Sequence, residues 1–180
     1  MNIRFFTLLI STFLLLFNQS AFSAGEEDDP TPKPTETTQK CDKGQVWDKD
    51  KKECIGIQES RFNDDQIFQT ARELAYANRY KDAIALLSKA TNKSDPRVLN
   101  YLGFSYRKAG DFKQSISYYM QALTIDPNYL LARSYMGQGY LAQGKDEQAA
   151  IQLAEIRNRG GEDTWSYKAL ESAMKGHGGY

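Results

Sequence analysis

The feature that most constrains this chain is an internal repeat. Leu102-Gly103-Phe104-Ser105-Tyr106 recurs 34 residues later as Met136-Gly137-Gln138-Gly139-Tyr140. In the same register Gly110 recurs as Gly144, Ser115 as Ala149, and Tyr119 as Leu153. A fixed period of about this length marks stacked helix pairs, in which each pair buries its apolar face only against its neighbours. Such arrays present surfaces for other proteins more often than they carry chemistry.

The hydrophobic pattern within each period is helical. Ile67, Phe68, Ala71, Leu74 and Ala75 share one face, and Ala83, Ile84, Leu86, Leu87 and Ala90 share another. Pro96 suits a first helical turn after an Asp95 cap. Val98, Leu99, Leu102 and Tyr106 then form a helix that stops at Gly110. Asp111 opens a helix from Phe112 to Ile125, closed by Asp126-Pro127. A third pair runs from Tyr129 to Gly144 and from Asp146 to Gly160-Gly161. A last helix starts at Trp165 and reaches about Met174.

On Leu99, Leu102, Gly103, Tyr106, Gly110, Tyr119, Ala122 and Pro127 the chain resembles the tetratricopeptide repeat family. The resemblance covers repeats at 64–95, 96–129 and 130–163, with a capping helix at 164–175. The first unit is a shorter variant, and the third departs at Ile156 and Gly161, where Ala and Pro are usual. The segment around Asn100 to Pro127 also looks like exported bacterial members. The resemblance implies an all-α fold, a right-handed superhelix of three hairpins. It also implies that Gly103 and Gly137 admit the second helix of their own hairpin. Ala122 and Ala149 do the same from the other side, and Tyr106 and Tyr140 are large wedges between neighbouring hairpins.

The N-terminal third reads differently. Arg4 precedes an almost wholly apolar run from Phe5 to Phe17, and Ala21, Ser23 and Ala24 supply small residues for cleavage. That is the pattern of a secretory signal peptide, residues 1–23. The run is shorter than the roughly 20 residues that span a bilayer. Residues 24–40 hold three prolines and no large apolar side chain. They read as a disordered linker able to extend roughly 50 Å at about 3.1 Å per residue. The chain has two cysteines, Cys41 and Cys54. In an oxidising compartment such neighbours pair, which closes a small hairpin at 41–56. They are too few, and wrongly spaced, for zinc or a dithiol redox motif.

Composition removes several function classes. Twenty-three basic and 23 acidic residues balance and are interspersed, so no basic stripe favours nucleic acid. Gly139 to Lys145 mimics a phosphate loop, but Asp146 stands where Ser or Thr should hold magnesium, and the segment ends a helix. Asp48 and Asp50 lack the Gly and Glu that a calcium loop needs. The single His177 has no positioned partner for catalysis. We therefore expect no cofactor, no metal and no enzyme activity. The expected protein is a periplasmic adaptor, monomeric and without a membrane span when mature, that binds a protein or peptide. A protein that self-assembles by stacking its terminal repeats is the alternative.

Helical spacing nominates the groove residues on first helices, off the packed signature face. They are Phe68, Arg72 and Tyr76; Arg97, Asn100, Phe104 and Arg107; and Ser134, Gln138 and Leu141. Asn100 and Arg107 could hold a peptide backbone or carboxylate, with Phe104 giving apolar contact. The carboxylate clamp of some family members is not expected, because Phe68, Tyr101 and Leu131 stand at the matching places. Thiol labelling of the exported, unreduced protein should find no free cysteine; two labelled cysteines would overturn the pairing.

Overall fold

The computed structural model describes residues 31–176. A short helix α1 (Glu36–Lys40) leads into an antiparallel hairpin of β1 (Gln45–Asp48) and β2 (Glu53–Gly56). A single 3-10 turn, Ile57–Glu59, follows. Seven helices then alternate as hairpins: α2 (Asp64–Tyr76) with α3 (Tyr80–Leu87), α4 (Pro96–Lys108) with α5 (Phe112–Ile125), and α6 (Leu130–Leu141) with α7 (Asp146–Asn158). The last, α8 (Trp165–Met174), stands as a closing helix. The expected all-α repeat architecture is therefore present.

Local chemistry sets the helix ends. Asn63 and Gln66 form a reciprocal capping box at the start of α2. Asp95 and Asp111 accept backbone N–H groups at the starts of α4 and α5. Gly110 and Gly144 take φ of +89° and +70°, the left-handed turn that ends a helix. The N–H groups of Asp111 and Lys145 then reach back to the carbonyls of Tyr106 and Tyr140. Gly139 sits inside α6, so the apparent phosphate loop is a helix terminus.

Packing within the repeats follows the small residues, with one correction. A Cβ on Gly103 would lie 2.6 Å from Tyr119 Cε1 of α5, so this glycine does admit its own partner helix. Gly137 was expected to do the same toward α7. Instead its close neighbour is Leu170 of α8, at 2.6 Å. The reason is size: Leu153 replaces Tyr119 in the third repeat, and the closing helix fills the space. Ile156, the departure from the family pattern, is fully buried with Tyr167 and Leu170 in that same small core. Gly161 permits the turn, since a Cβ there would meet Ile156 and Leu130 at 2.7 Å. Tyr106 packs against the main core and stacks on Tyr118 of its own hairpin at 5.4 Å.

The N-terminal region departs furthest from expectation. The second half of the 24–40 segment is ordered, not a disordered linker. Thr35 caps α1, and its N–H and hydroxyl both donate to buried Glu73 of α2 at 2.7 Å. The Thr38 hydroxyl donates to the same carboxylate. Low hydrophobicity argued for disorder, but charge-assisted hydrogen bonds anchor the segment without apolar area. Residues 24–30, the apolar run at 5–17 and His177 lie outside the described residues.

The predicted Cys41–Cys54 disulfide is formed, with Cα atoms 5.5 Å apart. Val46, Ile55 and Ile57 join the main core, so the hairpin caps the first repeat. Arg79 fastens it. Its guanidinium donates to the carbonyls of Thr37, Cys41, Asp42 and Gln45 at 2.7–3.1 Å, and to Asp82 at 2.7 Å. Asp82 in turn accepts the Gly44 N–H.

Two outcomes follow from this packing. Adding a methyl at Gly103 forces it into a buried ring, an overpacking cost of about 1–3 kcal/mol against about 1 kcal/mol of helix propensity gained. Gly103→Ala should therefore lower the urea midpoint. Gly137→Ala, which meets the movable tip of a leucine, should lower it less. The reverse order would contradict the close approach of α4 and α5.

The loop before α4 gives a pH dependence. The N–H of Asn92, the N–H of Thr91 and the Thr91 hydroxyl all bond Asp64, which holds its carboxyl below the ordinary value of 3.8. A depressed folded pKa adds stability that is fully present above the ordinary value and lost as pH falls through the folded one. Asp64→Asn should lower the melting temperature at neutral pH, and the gap should close as pH falls below 3.8. A gap that persists in acid would contradict this role.

Candidate protein-docking surface

The ten nominated groove residues lie together on the inner helices, but most are packed rather than open. Phe68, Arg72, Asn100, Phe104, Arg107, Ser134 and Gln138 are buried; Tyr76, Arg97 and Leu141 are half-buried. The cause is a chain of aromatic rings along the first helices. Phe68 meets Tyr101 edge-on at 5.5 Å, Tyr101 meets Phe104 at 5.9 Å, and Phe104 meets Tyr135 at 5.1 Å. Tyr76 stacks on Phe104 at 6.1 Å, and Trp165 of α8 closes the row against Tyr135.

The polar nominees are engaged within this row. Asn100 is fully buried, and its Nδ2 donates to the Tyr129 hydroxyl at 3.2 Å. Arg107 lies over the rings of Phe104 and Tyr135 at 5.4 and 5.6 Å. Arg72 donates to the Tyr101 hydroxyl at 2.9 Å. Arg97 covers Phe68 and pairs with Asp95 and Asp65. Gln138 bonds Ser134, and Leu141 packs beside the Ile156 core. Burial pushes the hydroxyls of Tyr101 and Tyr129 well above the ordinary tyrosine value, so both stay neutral donors and acceptors. Asn100, Phe104 and Arg107 therefore do not form an open peptide clamp. Side chains off the signature face were nominated because helical spacing separates faces; it does not show that neighbouring helices fill the inner face with rings.

An open cleft lies at the N-terminal edge instead. It holds about 780 Å³ between the arm at 31–37, the hairpin tip at 47–50 and the outward side of α2. Trp47 and Phe62 give it aromatic surface, and Gln69, Thr70 and Arg72 form part of its floor. Lys33, Lys49 and Arg61 line it together with Glu36, Asp50 and Asp65, so charges of both signs line the walls. Its volume falls in the range of ordinary binding clefts. Lys40 Nζ lies 5.0 Å from the Trp47 ring centre, which steadies that wall.

The residues that build this cleft were largely missed from sequence. Arg79 did leave a signal. It occupies the N-cap of α3 without a side-chain cap bond, where Ser, Thr, Asp or Asn is favoured and a cation opposes the helix dipole. A local rule broken in this way points to a tertiary role. Glu73 left none, because an acid on a helix reads as a solvated side chain.

Among the described residues, no group of three His, Cys, Asp or Glu side chains could hold a metal ion. No described helix is long and apolar enough to cross a membrane.

Residues 96–129 match the model of the tetratricopeptide repeat family. No curated protein and no solved structure matches the chain. Members of this family are typically non-catalytic, and the repeat suggests a scaffold for protein–protein interaction. The disulfide is compatible with an oxidising, exported environment. The unit formed by α4 and α5 is therefore a tetratricopeptide repeat, with a helical hairpin on either side of it.

Proposed function

We propose that this protein is a non-catalytic adaptor of the bacterial cell envelope, exported by residues 1–23 and working in the periplasm as a monomer. It docks an extended segment of a partner protein in the cleft between the N-terminal arm, the hairpin tip and α2. The cleft itself carries this reading: it is an opening of binding size beside inner-face residues that are mostly packed. Its mixed charges, hydroxyls and two aromatic side chains suit a polypeptide, whose backbone and side chains offer partners of each kind.

Stacking through the terminal repeats is the weaker reading. Glu171 stands 34 residues after Gly137, at the place where a small residue admits a neighbouring side chain. It pairs with Lys175 at 2.8 Å instead. A further second helix would meet this charged side chain, so α8 ends the array. At the other end the disulfide hairpin covers the first repeat.

A photo-crosslinking residue tests the docking surface in native envelopes. Placed at Gln69 on the cleft floor, it should join one discrete protein; placed at exposed Gln121 on α5, it should not. Equal labelling from both positions, or none from Gln69, would reject the cleft.

A further inference from the structure

The cap formed by residues 31–59 is held together and held in place by different means. It has two four-residue strands, and its three buried aliphatic side chains, Val46, Ile55 and Ile57, pack into the main core. A two-stranded hairpin of this size is marginal by itself. The disulfide joins Cys41, the residue that ends α1, to Cys54 in β2. It therefore ties the arm to the far strand.

The polar attachments to the repeats come mainly from the near side of that tie. Thr35 and Thr38 bond Glu73, and Gly44 bonds Asp82. Arg79 needs four carbonyls, from Thr37, Cys41, Asp42 and Gln45, to converge on one guanidinium. That convergence depends on the loop the disulfide closes. From the far strand onward, one cation reaches across: Lys89 donates to the Gln58 carbonyl. The repeats from Pro96 onward contain no cysteine, and their core is continuous with that of the first repeat.

We propose that the Cys41–Cys54 disulfide is a redox latch. A dithiol reductant opens it, the cap leaves α2 and α3, and the cleft loses two of its walls while repeats two and three stay folded. The latch rests on the cleft reading for its effect on docking, and on the contacts above for its action. Cys54 is the half-buried partner and Cys41 the more buried one, so Cys54 is the sulfur open to attack. The reductant's thiolate bonds Cys54 sulfur as the bond to Cys41 breaks, and Cys41 leaves as a thiolate that takes a proton. The second thiol of the reductant then closes its own disulfide and frees Cys54. Two electrons pass to the cysteines, and the dithiol is oxidised.

Hydrogen exchange on the purified protein, with and without dithiothreitol, tests the latch without any partner. The Gly44 amide is bonded to Asp82 across the cap–repeat contact, and the Trp47 amide to Thr37 within the cap, so they report release of the cap and loosening of its arm. Reduction should lower their protection on the order of a hundredfold, the effect of opening a ring of this size. Amides in α4 and α5 should keep theirs. The latch is refuted if mass measurement finds both thiols free while Gly44 and Trp47 stay protected. Loss of protection throughout α4 and α5 would refute it equally, because the disulfide would then staple the whole fold. Failed crosslinking at Gln69 with a normal exchange response would count against the docking site alone.

Discussion

The row of rings from Phe68 through Tyr101, Phe104 and Tyr135 to Trp165 ties every first helix to the next. Aromatic pairs add about 0.5–1.5 kcal/mol each beyond the area they bury. In a repeat array each hairpin touches only its neighbours, so a continuous row through successive units is what makes three hairpins one body. The same row has a functional consequence. Rings that cross the inner face fill it, and Asn100, Arg107 and Gln138 are drawn into the packing beside them. The hydrogen bond from Asn100 Nδ2 to Tyr129 holds one side of that amide in the packing, while Asn100 Oδ1 and Gln138 Oε1 are buried without a hydrogen-bond partner.

The ends of the array are handled by unlike devices. At the C-terminal end, α8 packs Leu170 against Gly137 and Ile156, then turns Glu171 outward to Lys175. At the N-terminal end the chain is too polar to make another helix pair. A disulfide hairpin and a threonine-rich arm do the work through charged hydrogen bonds to Glu73 and Arg79. Attaching the arm this way leaves space between it and α2, and that space is the cleft. Cap, cleft and first repeat thus form one unit, whose attachment adds charged hydrogen bonds to the packing of Val46, Ile55 and Ile57 on the main core.

Much of the fold was legible from periodicity. The helix ends fell near Asp95, Gly110, Asp111, Gly144 and Gly160 because capping and left-handed turns depend on a few adjacent residues. The cysteine pairing was legible from compartment and count. The partner of Gly137 was not, since Leu153 and Leu170 could each have filled that space. The site was less legible still. Helical spacing separates one face from another, but whether a face is open depends on what the adjacent helix carries. Arg79 was readable only as a misfit at a helix start, and Glu73 only once Thr35 is seen against it.

Sequence alone determined the all-α repeat, its period, its helix boundaries and the single disulfide, because each rests on local backbone preference or on a recurring pattern. Tertiary structure decided which surface is free. It filled the inner face with rings, ordered the arm against Glu73, and opened the cleft beside α2. Those outcomes turn on contacts between residues about 30 to 40 positions apart, as from Thr35 to Glu73 and Arg72 to Tyr101. No local pattern encodes such contacts, since the same polar side chains would suit a solvated surface equally well.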